Sequence, residues 1–412
     1  MNRTDSNTKP KVLIAGGGIA GLEAMMAIRD LAGARVAITL IAPEPDFVYK
    51  PLIVEEPFSS QPAEQHALAP IAQEFGAEFI QKGIAEVSPG RHSVELDDGS
   101  SLEYDRLMVC IGARPSAAFA DAVPLRTDGT VIPIDSLLRE TESSESGVLA
   151  FVIPPGRTWP LPVYELALMA QSRAREIGVR EIRFLLVTPE ESPLIVFGRN
   201  ASDAVSSLLS ARGIEVRTGV RVKEASNGEL LLAPAEERVA VGQMVAAPVL
   251  EGHNLPGLPA DGEGFIPIDE HAKVRGVEDV YAAGDGTNFP IKHGGIGTEE
   301  ADAAAADIAA SLGAEVKPEP FRPVIRGKLL TGDDSLHMQH SATGGAGEGS
   351  ASPDYLWWPP QKVAGKYLSA WLGHSTVHSE SEPPPHSIDV EVALPKEWHE
   401  DPMALDPLGP LP

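Results

Sequence analysis

A glycine-rich turn near the amino terminus is the sequence feature that most constrains the fold. Gly16, Gly18 and Gly21 form a GxGxxG motif after an apolar strand at Val12–Ala15, and a second strand follows at Arg35–Ile41. The first glycine permits a tight turn, the second lets the backbone approach a pyrophosphate, and the third lets the intervening helix pack closely on the strand. Because the helix N-terminus faces the phosphate charge, this unit predicts a dinucleotide-binding βαβ fold.

A second stretch, residues 147–216, repeats the alternation of strand and helix. Its predicted elements are a strand at Gly147–Ile153, a helix at Val163–Ile177, a strand at Ile182–Thr188, a helix at Ala201–Arg212 and a strand at Gly213–Arg217. Short connections of this kind favour parallel strands. We therefore expect an α/β protein with two Rossmann-like domains. The first is discontinuous (11–120 and 246–330), the second spans 125–245, and a C-terminal extension covers 331–412.

Composition excludes several partners. The chain of 412 residues has 59 acidic and 33 basic residues, a formal net charge of −26, which argues against nucleic acid and anionic lipid surfaces. An acidic face that steers a basic partner is left open. No apolar run approaches the roughly 18 residues that span a bilayer, and the amino terminus lacks a secretion signal. We expect a cytoplasmic protein without a transmembrane segment.

Two later segments make the nucleotide fold more specific. CIGARP, residues 110–115, is similar to the segment by which two-dinucleotide flavoproteins cross from the FAD domain, and VEDVYAAGDGTNFP is similar to their second FAD fingerprint. With the glycine turn, these segments resemble the pyridine nucleotide–disulfide oxidoreductase superfamily over residues 11–330. The resemblance implies FAD as cofactor, with Asp285 accepting hydrogen bonds from its ribityl chain.

The turn and the resemblance together give a set of expected FAD contacts. In one place the sequence departs from the pattern: Ala42 stands where an acidic residue would hold the ribose, and Glu44 is the candidate substitute. The expected FAD-binding residues are Gly16, Gly18, Ala20, Gly21, Glu44, Lys50, Pro51, Ala113, Arg114, Gly284, Asp285, Lys292 and Gly295.

Two segments point to one branch of the superfamily. APEPDFVYKPLIVEEPF and NFPIKHGGIGTEEADAAAADIAA are similar to type II NADH dehydrogenases and sulfide:quinone oxidoreductases. That resemblance implies Lys50 and Pro51 beside the flavin, and Lys292 at its pyrimidine edge, where a cation would stabilise negative charge on reduced flavin. A solvated loop lysine is the alternative for Lys292. His293 is a candidate proton donor at the flavin, and the alternative is again a solvated side chain.

The segment PPGRTWPLPVYE indicates what the second domain lacks. A nicotinamide site would require a glycine turn after the strand at Gly147–Ile153, but four prolines here cannot donate backbone N–H groups to a diphosphate. The segment resembles the one in sulfide:quinone oxidoreductases and flavocytochrome c sulfide dehydrogenases. Aligning on Tyr164 and Glu165 places Trp159 where their reactive cysteine stands. The chain has one cysteine, Cys110, which is expected as a small buried residue, so a thiol-bound polysulfide route is excluded under this alignment.

The remaining signals are weaker. Arg157 is expected at the surface, with an anion contact in the altered turn as the alternative, and Tyr49 is expected either to wall the flavin pocket or to lie in the core. His337 and His340 have no ligands at metal spacing, so no metal is proposed. A helix at Gln361–Leu372 is expected to pack its stripe of Val363, Tyr367 and Trp371 onto the protein, with a quinone-like or aromatic substrate pocket as the alternative. Residues 341–353 are expected to form a flexible linker and 375–412 an acidic, proline-rich tail.

Three functions remain open at this point. The first is an FAD-dependent oxidoreductase that passes electrons from an unidentified donor to a quinone-like or protein acceptor without a redox disulfide. The second is an NAD(P)H:quinone-type dehydrogenase with an unusual nicotinamide site. The third is a flavin-binding interaction or regulatory protein without turnover. The donor, the acceptor, the role of the tail and any homo-oligomer are not fixed by the sequence, and nothing in these residues suggests covalent attachment of FAD.

Overall fold

The structure, a computed structural model, describes residues 9–59, 63–125, 132–332, 335–341 and 349–376. Within these ranges the α-helices are α1 (Ile19–Ala32), α2 (Leu68–Glu74), α3 (Ile134–Glu142), α4 (Leu161–Glu176), α5 (Arg199–Ala211), α6 (Gly294–Ser311) and α7 (Leu368–Thr376). Short 3-10 helices lie at Gly33–Arg35, Lys50–Phe58, Pro89–Arg91 and Ile195–Phe197.

The strands of the same ranges alternate with these helices along the chain. They are β1 (Lys11–Ala15), β2 (Ala37–Ala42), β3 (Asp46–Val48), β4 (Gln65–Ala67), β5 (Glu78–Gln81), β6 (Ile84–Ser88), β7 (Ser93–Leu96), β8 (Ser101–Glu103), β9 (Arg106–Val109), β10 (Arg114–Ser116), β11 (Val123–Pro124), β12 (Val148–Val152), β13 (Arg183–Val187), β14 (Ile214–Arg217), β15 (Arg221–Ser226), β16 (Glu229–Ala233), β17 (Glu237–Ala240), β18 (Gln243–Ala246), β19 (Val249–Glu251), β20 (Val280–Ala282), β21 (Val324–Leu329), β22 (Leu336–Ser341) and β23 (Ser350–Ser352).

The first large sheet has five strands in the order β20-β9-β1-β2-β5, and every neighbouring pair is parallel. Its central strand β1 is buried from Val12 to Ala15, as is usual for parallel sheets covered on both faces. β20 pairs with β9 but follows all the strands of the second sheet in the sequence. The first sheet is therefore built from two separate segments of the chain. The carboxyl end of β1 lies between β2 and β9, where ligands bind in open α/β sheets.

The second large sheet is also parallel, with the order β11-β18-β12-β13-β14. Its strand β12 is buried at every residue, and α4 follows it directly. The predicted fold class, α/β with two Rossmann-like sheets and a discontinuous first unit, is confirmed. The domain boundaries given above remain predictions.

Small residues allow helices α1 and α6 to pack closely beside the first sheet. A Cβ on Gly297 of α6 would lie 2.9 Å from the Cα of Gly284, and one on Gly284 would lie 3.1 Å from the Cβ of Ala20. The Ala-rich sequence after Thr298 favours a helix, and α6 begins earlier, at Gly294. Glycines at 294, 295 and 297 argue against a helix by propensity, but the Gly284 backbone lies close enough to require glycine at 297, and side chains lie close to the other two.

The C-terminal extension differs from the prediction in two places. The predicted helix at Gln361–Leu372 is wrong in its first half, because α7 begins only at Leu368 and residues 361–367 are not helical. Part of the predicted linker is also wrong, since β23 at Ser350–Ser352 pairs with β22. Residues 342–348 of that linker and 377–412 of the predicted tail lie outside the described ranges.

Candidate functional site

The glycine turn has the geometry that a diphosphate requires. Gly16 has φ of 119°, and a Cβ there would lie 2.1 Å from the carbonyl oxygen of Cys110. A Cβ on Gly21 would lie 1.9 Å from the carbonyl oxygen of Gly16. Gly18, the N-cap of α1, has no described atom within 4 Å of its Cβ position apart from its two chain neighbours, and it makes no side-chain cap. The open space at the N-terminus of α1 therefore fits a phosphate group.

The second fingerprint brings Gly284 and Asp285 to the end of β20, beside α1. Glu300 of α6 is buried and accepts hydrogen bonds from the Gly284 N–H at 2.6 Å and the Thr287 hydroxyl at 3.1 Å. Burial raises the pKa of Glu300 to about 8, against the effect of the backbone hydrogen bond. Burial also raises the pKa of Asp285, while the ammonium groups of Lys292 and Lys50 lower it.

Lys292 is buried, with 3% of its surface exposed, and is not a solvated loop lysine. Its ammonium donates to the carbonyl oxygen of Thr287 and lies 3.8 Å from the ring centroid of Phe265. Burial lowers the pKa of Lys292 to about 8, and the carboxylates of Asp285 and Glu300 oppose that shift. The buried Lys292 ammonium therefore interacts with two acidic groups, Asp285 and Glu300.

His293 caps the N-terminus of α6 and is likewise buried. Its Nδ1 accepts a hydrogen bond from the Gly295 N–H at 3.1 Å, so the neutral ring carries its proton on Nε2. Burial lowers the pKa of His293 to about 4, and the cations Arg326 and Lys362 add to that shift. The side chain is therefore neutral at neutral pH, which favours a hydrogen-bond donor over the charged proton donor of the sequence-based hypothesis.

The proline-rich turn brings Trp159 against His293. The two rings lie 4.7 Å apart between centroids, and the Trp159 ring contacts Phe197 edge-on at 5.8 Å. The turn leads into α4, which has Pro160 as its N-cap and a further proline in its first turn. Trp159, Phe197 and His293 thus form an aromatic wall beside the proline-rich turn.

Arg157 in the same turn is not a surface residue, so that expectation is wrong. Only 7% of it is exposed, and its Nε donates to the carboxylate of Glu263 at 3.0 Å. Its carbonyl oxygen accepts from the Leu250 N–H at 2.7 Å, and its charge contributes to the lowered pKa of Lys292. This ion pair links the proline-rich turn to Glu263, which precedes the second FAD fingerprint in the sequence.

The other predicted residues are more dispersed. Glu44, Lys50 and Arg114 are exposed, whereas Pro51 and Ala113 are half-buried. The Arg114 guanidinium lies 3.8 Å from the carboxylate of Glu251.

Tyr49 and Cys110 belong to the core. Tyr49 is buried and its hydroxyl accepts a hydrogen bond from the Val363 N–H at 2.9 Å. Cys110 is buried as predicted, and its burial raises the pKa of the thiol well above the usual value. A thiol in that state is a poor nucleophile.

Sequence reasoning missed Glu300, Phe265 and Phe197, and it misjudged Arg157. Each acts through a partner that is distant in the chain, so no local pattern marks it. Across the described ranges, no group of three or more His, Cys, Asp or Glu side chains could hold a metal ion. In the same part of the chain, no helix combines the length and the apolar character needed to cross a membrane.

Fold and site together define a flavoprotein with two Rossmann-like sheets. The chain belongs to the pyridine nucleotide-disulphide oxidoreductase family, whose model matches residues 10–146 and 164–307. The unmatched stretch between these segments contains the proline-rich turn and Trp159. The chain is therefore an FAD-dependent oxidoreductase, and the glycine turn and the second fingerprint are the parts that fit FAD.

Known relatives show the same family at low identity. The sulfide-quinone reductase of Aquifex aeolicus (strain VF5) is 27% identical over 224 residues, which cover 52% of this chain and about half (51%) of that protein. Rhodocoxin reductase of Rhodococcus erythropolis is 30% identical over 305 residues, 68% of this chain and 65% of that protein. The solved structure of the sulfide:quinone oxidoreductase from Aquifex aeolicus matches with a TM-score of 0.70 at 19% identity, covering 81% of this chain and 84% of the other.

Proposed function

We propose that this protein passes electrons from a small-molecule or protein donor to a quinone-like or protein acceptor through FAD alone, without a redox thiol. The observation that carries the proposal is the state of the single cysteine: Cys110 is buried behind the glycine turn, and its thiol is held protonated. An aromatic side chain, Trp159, occupies the position that the alignment assigns to a reactive cysteine.

FAD supplies the electron-accepting group when it is bound. Gly16, Gly18 and Gly21 would accommodate its diphosphate, and Asp285 would accept hydrogen bonds from its ribityl hydroxyls. The Lys292 ammonium would stabilise the negative charge that reduction adds, since it is a buried cation already oriented by the Thr287 carbonyl. His293 would donate a hydrogen bond from Nε2 rather than deliver a proton from an imidazolium.

The acceptor class rests on similarity and on charge. The relatives carry the names of a quinone reductase and of a rhodocoxin reductase, which indicate a quinone and a redox protein as their partners. The net charge of −26 favours a basic protein over an acidic one if the acceptor is a protein.

A second candidate, an NAD(P)H:quinone-type dehydrogenase, is favoured by the second parallel sheet, which has the topology of a dinucleotide-binding unit. The turn after β12 argues against it. Pro154, Pro155, Pro160 and Pro162 provide no backbone N–H groups for a diphosphate.

The test of a thiol-free route is the Cys110→Ala variant. Dithionite-reduced enzyme is mixed anaerobically with a soluble quinone analogue, and the return of the oxidised flavin band is followed. We expect wild type to be reoxidised and the variant to react at the same rate. A variant that retains its FAD but is no longer reoxidised would contradict the proposal.

A further inference from the structure

Two neighbouring aromatic side chains of the C-terminal extension are exposed to solvent. Among the described residues, the large apolar side chains that are exposed are Tyr355, at 47%, and Trp358, at 42%. Their ring centroids lie 6.4 Å apart and their planes meet at 68°. Adjacent exposed rings favour binding of a partner, because each ring supplies a large contact area at a small cost in conformational entropy. Tyr355 and Trp358 are named here the aromatic pair.

The aromatic pair is supported by buried rings. Tyr355 meets His337 edge-on at 5.1 Å between centroids, and His337, which is 1% exposed, contacts Trp357 at 5.2 Å. Trp357 is itself buried, and its Nε1 donates to the carbonyl oxygen of Gln361 at 2.9 Å. The aromatic pair is therefore held in place by packing before any partner binds, which lowers the entropic cost of binding.

The last described residues of the chain lie close to the aromatic pair. Helix α7 ends at Thr376, and a Cβ on Gly373 of that helix would lie 3.4 Å from the Cβ of Pro359. Pro359 directly follows Trp358 in the sequence. The rise from Gly373 to Thr376 is about 5 Å along the helix axis. The residues that follow Thr376 therefore start near the aromatic pair.

A run of three prolines follows shortly after Thr376. The run, Pro383–Pro385, is the only place in the sequence with three consecutive prolines, and six residues separate it from Thr376. Six extended residues span about 20 Å, which is enough for the run to return to the aromatic pair. Consecutive prolines favour the polyproline II conformation, and such segments bind to aromatic rings because they lose little conformational entropy.

We propose that the aromatic pair is a docking site for this proline run of the same chain. The pyrrolidine rings would pack against Tyr355 and Trp358 and would cover both from solvent. The short connection gives the run a high effective concentration at the site, which a separate proline-rich protein would have to exceed. Docking would attach the acidic tail to the C-terminal extension. The inference depends neither on FAD nor on the electron donor and acceptor.

Fluorine NMR of the full-length protein labelled with 5-fluorotryptophan tests the docking. The Trp358 resonance is assigned by its loss in Trp358→Phe, and its shift between H2O and D2O reports contact of the ring with solvent. In a proline-run variant, with alanine for all three prolines, this isotope shift is expected to rise toward that of free 5-fluorotryptophan. The matched control variant has alanine at Pro402, Pro407 and Pro410, farther along the same tail, and is expected to match wild type.

A synthetic peptide of residues 379–389 provides the second measurement. Added to the proline-run variant, it is expected to lower the Trp358 isotope shift to the wild-type value in a saturable manner, whereas the same peptide with alanine for its prolines should have no effect. An equal isotope shift in wild type and the proline-run variant would overturn the docking, as would an equal rise in the control variant. A wild-type isotope shift that rises on dilution would show that a second copy covers the aromatic pair, and would overturn the contact within one chain.

Discussion

Lys292 is the residue on which the electron-transfer proposal depends most. It is a buried cation whose pKa burial lowers to about 8, and it is held by the Thr287 carbonyl beside Asp285 and Glu300. A charge kept in such surroundings against the cost of burial acts strongly on a neighbouring flavin, because the local dielectric constant is low.

Replacing Lys292 by Met tests this role. The substitution keeps an unbranched side chain over Phe265 and removes the charge, so we expect the midpoint potential of bound FAD to fall by about 30 mV or more, which corresponds to about 1.4 kcal/mol for two electrons. Spectroelectrochemical titration measures it. Lys273→Met is the control, because Lys273 is a half-exposed lysine paired with Asp307 at 2.8 Å. Equal midpoint potentials of bound FAD in wild type and Lys292→Met would show that Lys292 does not stabilise reduced FAD.

At this scale, the sequence predicts residues whose role is local. Gly16 has a φ of 119°, and a Cβ on Gly21 would lie 1.9 Å from the Gly16 carbonyl oxygen, so the turn itself requires both glycines and their spacing reveals them. Arg157 and Glu300 could not be predicted in the same way. Their partners Glu263 and Gly284 come from other elements, and neither residue type is unusual for an exposed position.

Among the elements, the β1–α1 turn combines two kinds of glycine. Gly21 is needed for packing, since its Cβ would overlap the Gly16 carbonyl, whereas Gly18 borders open space with an extended backbone. Correct folding therefore depends on Gly21, whereas FAD binding depends on Gly18.

The two positions should therefore respond differently to alanine. Gly21→Ala is expected to disrupt the helix–strand crossing and to give little folded protein. Gly18→Ala is expected to fold with a thermal unfolding midpoint near that of wild-type apoprotein, but to bind FAD weakly, because the added methyl group enters the phosphate space. Thermal unfolding and the flavin-to-protein absorbance ratio separate the two effects. A Gly18→Ala variant with a full complement of FAD would contradict the assignment.

Element boundaries were predicted least well where tertiary contacts override local propensity. The start of α6 contains three glycines that disfavour a helix, yet Gly297 is required there by its close packing on the Gly284 backbone. Residues 361–367 include apolar side chains at helical spacing, but the Tyr367 and Leu368 N–H groups bind Glu23 instead of carbonyl groups of their own turn. The two parallel sheets, by contrast, followed from apolar runs and short connections.

On the scale of the whole molecule, a buried ion pair joins the C-terminal extension to the second sheet's helix α4. Lys362 and Glu165 are both buried, and Glu165 also accepts from the Leu330 N–H at 3.0 Å. Removing one member of such a pair leaves an uncompensated charge, which costs about 3–5 kcal/mol.

Lys362→Met is therefore expected to lower the free energy of unfolding by about 3 kcal/mol near neutral pH. Because the pKa of Glu165 is already raised and would rise further without the cation, the group stabilises the fold when protonated, and the deficit should shrink as the pH falls. Urea unfolding at two pH values measures both effects. The double variant Lys362→Met, Glu165→Gln should recover most of the loss. A single variant as stable as wild type at neutral pH would show that the pair does not join these elements.

The measurement that tests the central claim most directly is an anaerobic titration of the FAD-loaded protein with NADH, followed at the visible flavin band. Because the four prolines in the turn after β12 lack the backbone N–H groups that would bind a diphosphate, we predict no bleaching by NADH in a protein that dithionite does reduce. Electrons would then enter from another small reductant or from a partner protein. Rapid bleaching by NADH would contradict this account, and would identify a pyridine-nucleotide dehydrogenase that binds its substrate in an unusual way.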